Sequence, residues 1–185
     1  MTRWIYRSAC AFTLLALQSC AWVPPLLGGT AGYAEPQRNP LISSSQKAVT
    51  ALSQGIPLQA INDAPVLVGT VVNVNQLSRS TPLGRTLSEL YASQLASHGF
   101  NVKELKLRGD IFVQEGTGEL MLSREVRDIA NSHQAALALV GTYSKAKLNT
   151  YISLKLVRMS DSRIVGSYDY ALPNEADVQR LLAGS

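Results

Sequence analysis

Along residues 43–182 apolar positions recur with two periods, one helical and one extended, separated by Gly, Pro and short polar clusters. Ala48, Val49 and Leu52 share one helical face, predicting a weakly amphipathic helix from Ser43 or Ser44 to about Ser53, stopped by Gly55 and Pro57. Val66 to Val74 is nearly all apolar and β-branched, the pattern of a strand covered on both faces. Ser80-Thr81-Pro82 is a helix start, a hydroxyl cap followed by a proline whose missing N–H costs nothing in the first turn. Leu83, Leu87, Leu90, Tyr91 and Leu95 continue that helix to His98, and Gly99 ends it.

Phe100 to Leu107 reads as a strand with Phe100, Val102, Leu105 and Leu107 inward. Asp110 to Leu122 reads as two short extended pieces about a Gly116-Thr117-Gly118 turn. Ser123 caps a predicted helix to about Ser132, with Val126, Ile129 and Ala130 inward. Three strands follow, at 135–143, 150–158 and 163–172. In the second, Ile152, Leu154 and Leu156 oppose Ser153 and Lys155, as in a sheet with one wet side. Ser160-Asp161-Ser162 turns the last pair, and Asn174 to Leu182 closes the chain as a short helix. The order β-α-β-α-β-β-β-α predicts an α/β fold, a mixed sheet with helices packed on one face.

The N-terminus has a different pattern. Arg3 and Arg7 precede an apolar run, Ser8 to Leu17, that is about half the roughly 20 residues a membrane span needs. Charge before a short apolar run is the pattern of a bacterial export signal. It ends in Leu17-Gln18-Ser19-Cys20, which resembles the lipobox. Leu17 and Ser19 fit, and Gln18 stands where a small or β-branched residue is usual. Cys20 is then the lipidated N-terminus, carrying acyl chains with palmitate among them; cleavage near Ala34 is the alternative. Ala21, rather than aspartate, favours the outer membrane by resemblance to sorted lipoproteins. With Cys10 in the signal and Cys20 acylated, no thiol is left for a disulfide. Pro24, Pro25, Pro36 and Pro40 with Gly28, Gly29 and Gly32 read as a tether. The expected division is 1–20 signal, 21–64 tether and short helix, and 65–185 the α/β domain.

Composition narrows the function. Hydrophobic residues make up 46% and charged residues 16%, too apolar for a disordered chain. The formal charge of +4 falls to +2 without Arg3 and Arg7, which argues against a nucleic-acid protein. No phosphate-loop, nucleophile-elbow or zinc-protease motif occurs. His98 and His133 sit at predicted helix ends and read as surface residues, and Gly116-Thr117-Gly118 is followed by Glu119 where a phosphate would want a cation. No catalytic set, metal site or cofactor is therefore expected. On alternation Tyr168 and Tyr170 share a face, offering either a sugar- or peptide-binding surface or cross-strand packing. Arg85 and Glu89 lie one turn apart on the polar side of their helix, and Arg85 joins the two tyrosines as a candidate partner contact.

Residues Val66 to Pro173 resemble the FlgO domain of flagellar outer-membrane lipoproteins in Gram-negative bacteria. The resemblance is carried by Val72-Asn73-Val74, Ser80-Thr81-Pro82-Leu83-Gly84-Arg85 and His98-Gly99-Phe100. Gly118-Glu119-Leu120, Leu122-Ser123-Arg124-Glu125 and Val140-Gly141-Thr142-Tyr143 complete it, in matching order. It implies a non-catalytic protein that supports assembly or stability of the flagellum, and hence motility. Its partners would be the outer membrane, through the lipid anchor, and envelope or flagellar proteins, with the domain in the periplasm and homo-oligomerisation left open. The element order is also similar to the TolB N-terminal, CsgG and LpoB domains, which gives the alternative of a regulator of peptidoglycan synthesis.

Overall fold

Asn39, the cap that opens the first helix, is the first residue the computed structural model describes; it covers residues 39–61, 63–77, 79–104 and 124–184. The side chain of Asn39 accepts the Leu41 N–H at 2.9 Å, and Pro40 fills the first helical position. Helix α1 thus spans Pro40–Gln54, starting before the expected Ser43. Leu41, Ser45, Ala48, Val49 and Leu52 form its buried stripe, so α1 packs as part of the core rather than with a tether ahead of residue 65. The buried Ser45 hydroxyl donates to the Leu41 carbonyl at 2.7 Å and so carries no unmet polar group inward.

The valine-rich run is two strands rather than one, β1 at Val66–Val68 and β2 at Val72–Asn73. The break between them is held by α2, Pro82–Ser97. The Ser88 hydroxyl accepts the Val71 N–H at 2.9 Å, and its single proton faces the carbonyls of Gly84 (2.8 Å) and Gly69 (3.1 Å). Helix α2 begins as expected: the Thr81 hydroxyl accepts the Gly84 N–H and pairs with the Tyr143 hydroxyl at 2.9 Å. It ends at Gly99, whose φ of +87° suits glycine. After it come β3 (Val102–Glu104), α3 (Arg124–Ser132), β4 (Leu137–Lys145), β5 (Asn149–Arg158), β6 (Ile164–Pro173) and α4 (Ala176–Ala183). The inward Leu105 and Leu107, the Gly116-Thr117-Gly118 turn, the Ser123 cap and the side chain of Val126 lie outside the described residues.

The mixed six-stranded sheet runs β3-β1-β4-β5-β6, with β2 continuing beside β4. β1 pairs parallel with β3 and β4, and the β4-β5-β6 meander is antiparallel. Going from β1 through α2 to β3 moves one way across the sheet, and going from β3 through α3 to β4 moves back. Right-handed crossovers then put α2 and α3 on opposite faces. The burial agrees: α1, α2 and α4 cover Val66, Val68, Leu139, Ile152, Leu154 and Leu156, whereas Ala130 of α3 packs with Leu67, Ala138, Val140 and Val157. The expectation of helices on one face holds for three helices and not for α3. Among the described residues no helix is long and apolar enough to cross a membrane.

Candidate partner-binding surface

Cys20 lies outside the described residues. Arg85 is exposed on the first turn of α2, and its guanidinium donates to the Ser80 hydroxyl at 3.3 Å. It does not pair with Glu89; among the described residues the one ion pair is Arg158–Asp161, 3.1 Å apart in the β5–β6 turn. His98 caps α2, with its Nε2 3.3 Å from the Thr50 hydroxyl, and His133 is exposed, both at helix ends as expected. No group of three metal-binding side chains occurs among the described residues.

Tyr168 and Tyr170 do share a face of β6, with ring centroids 6.2 Å apart. That face is the one covered by helices: both rings pack against the main core, and the hydroxyls of Tyr170 and Tyr91 hydrogen-bond. Alternation placed them together but could not say which face the helices take. Burial pushes the Tyr91 hydroxyl pKa well up, and the neighbouring Tyr170 adds to it. Burial also raises that of Tyr170, against the opposing effects of the neighbouring Tyr91 and Ser45 hydroxyls. The folded domain therefore holds protons that the unfolded chain releases above pH of about 10. This contribution is complete below that pH and is lost as pH rises toward the folded values. The double variant Tyr91→Phe/Tyr170→Phe is expected to lose Tm less steeply above pH 10 than wild type, read by thermal melts across alkaline buffers.

The surface that sequence reasoning missed lies at the end of the sheet where β4 begins. It is an open groove of about 890 Å³ between the C-terminal end of α1 and the β5–β6 turn. Ile56, Ile61, Met159 and Val165 supply apolar walls, and among the described residues Arg158 and Arg163 are its only ionised lining residues. The signal in the sequence was two arginines flanking a turn, a pattern too common to single out. The groove and the exposed Arg85 are both open to solvent.

Among curated proteins none is similar enough in sequence to count as a match. Solved structures give similarities at low identity. The LpoB C-terminal domain from Escherichia coli is 16% identical with a TM-score of 0.45, covering 69% of this chain and 97% of that one. The PelC dodecamer from Paraburkholderia phytofirmans is 14% identical with a TM-score of 0.41, covering 60% and 71%. Lipoprotein GNA1162 from Neisseria meningitidis is 13% identical with a TM-score of 0.39, covering 62% and 83%. The family model described as FlgO protein matches residues 46–177, most of the chain and all of the sheet up to α4. The chain belongs to the FlgO family.

Proposed function

We propose that this chain is a non-catalytic lipoprotein of the outer membrane whose domain supports assembly or stability of a cell-envelope structure, foremost the flagellum. The observation that carries the reading is the FlgO match over residues 46–177, joined to a lipobox-like Leu17-Gln18-Ser19-Cys20 ahead of it. In this reading Cys20 holds the chain to the membrane through lipid, since several acyl chains anchor firmly where one does not. The domain, in the periplasm, then presents its exposed surfaces, Arg85 among them, to envelope or flagellar proteins.

Deleting the gene is expected to reduce swimming and the number of flagella per cell, with recovery on re-expression. Normal swimming and normal flagellar number would sink the flagellar role. Cys20→Ser is expected to abolish acyl labelling and to release the protein from the outer-membrane fraction. Labelling of that variant at wild-type levels would show that the acylated residue is another one.

A further inference from the structure

We propose that the β4–β5 hairpin tip, Lys145 to Leu148 with Tyr151 behind it, rests on the anionic lipid surface to which the chain's own N-terminus is anchored. The proposal rests on the anchor reading above and adds an orientation to it. A single exposed leucine is ordinary. Here Leu148 is 74% exposed, Tyr151 55% and Val74 44%, and the three lie at one end of the sheet. The Val74 N–H donates to the Tyr143 carbonyl, Ser144 pairs with Tyr151 across β4 and β5, and Leu148 is in the turn joining those strands. Lys145 and Lys147 are exposed beside them, with Glu175 the acidic residue next to Asn174, whose N–H bonds the Leu148 carbonyl. Apolar and aromatic side chains with lysines at their rim suit a headgroup region, where the ring and the leucine enter and the ammonium groups meet lipid phosphates.

The second observation is where the described chain starts. Leu52 of α1 lies against Gly166 near the start of β6, while Ser45 lies beside Tyr170 near its end. Helix α1 therefore runs antiparallel to β6, and Asn39 lies toward Pro173. Pro173 pairs with Asn149, the residue after Leu148. The chain thus enters the domain from the end that carries the hairpin tip, and the arginine-lined groove lies at the other end. Residues 21–38 separate Asn39 from Cys20, which can lie at most about 70 Å apart even when the chain between them is fully extended. A chain drawn to the membrane from this end presents this tip first. Two lysines and one leucine would hold weakly alone, but beside an anchor they need only orient what is already there.

The test uses the full chain in its processed, acylated form, in which neither Cys10 nor Cys20 is a free thiol. Leu148→Cys and, separately, Ser162→Cys in the β5–β6 turn each carry an environment-sensitive fluorophore. Both are reconstituted into phosphatidylethanolamine vesicles containing phosphatidylglycerol and a headgroup-region nitroxide lipid. Quenching is expected at 148 and not at 162. Removing charge with Lys145→Gln and Lys147→Gln is expected to lower the ratio of contacting to free tips about fivefold per lysine, and replacing phosphatidylglycerol with neutral lipid is expected to lower it likewise. Equal quenching at the two positions, or quenching at 148 indifferent to both the lysines and the anionic lipid, would overturn the proposal. Intact mass reads the acyl groups separately. Acylated protein without quenching at 148 sinks the tip and keeps the anchor. Protein without acyl groups sinks the anchor, and the orientation proposed for the tip, which rests on it, falls with it.

Discussion

Replacing Gly84 with alanine is expected to destabilise the domain by about 3 kcal/mol, at the upper end of what overpacking costs. Two effects of opposite sign compete there. On helix propensity alone, Gly→Ala inside a helix gains about 1 kcal/mol. Against it, a Cβ at residue 84 would stand 1.9 Å from the Val71 carbonyl oxygen, and that atom belongs to backbone that cannot swing aside. Relief requires α2 to back away from the β1–β2 break by about 1 Å or more, to reach an ordinary contact distance. That movement would stretch the bonds of Ser88 to Val71 and Gly69, now 2.9 and 3.1 Å, and expose polar backbone that Ser88 satisfies. The clash wins. Tm should fall by about 6–12 °C at this chain length, measured by calorimetry or circular dichroism. A variant that melts above wild type would mean that α2 does not lie against Val71 this closely.

The same contact shows where sequence reasoning ran out. Helix α2 was legible because its signals are local: Thr81 caps, Pro82 opens, a leucine stripe repeats and Gly99 stops it. The break at residues 69–71 was not, because Val66 to Val74 reads as one apolar run and the group that interrupts it, Ser88, comes seventeen positions later than Val71. Asn39-Pro40 carries a readable cap, but Pro40 also continues the proline series before it, which reads as a tether. The opposite placements of α2 and α3 follow from crossover handedness only once β1 is known to lie between β3 and β4, which no local pattern gives. For the candidate contacts, polarity located Arg85 on the wet side of its helix. Alternation brought Tyr168 and Tyr170 together, and the covering helices then turned both toward the core.

Replacing Leu87 with alanine is expected to cost about 2–5 kcal/mol, because lost transfer free energy and the cavity left behind add. Leu87 has no solvent exposure and sits in the main core with Leu83, Leu90 and Tyr91. A domain has only about 5–15 kcal/mol between its folded and unfolded states. The variant should therefore unfold at much lower denaturant and accumulate poorly in cells. Arg85→Ala, two positions away on the same helix, is expected to leave unfolding almost unchanged. Its side chain is exposed and, among the described residues, bonds only the nearby Ser80 hydroxyl, without the Glu89 pair its spacing suggested. An exposed contact of that kind is worth under about 1 kcal/mol. Urea unfolding of both variants beside wild type separates the two faces of α2, and equal losses would mean that those faces are wrongly assigned. Arg85→Ala also carries the functional question. If it reduced swimming while unfolding at the wild-type midpoint, the loss could not come from folding, and Arg85 would be a contact to the partner.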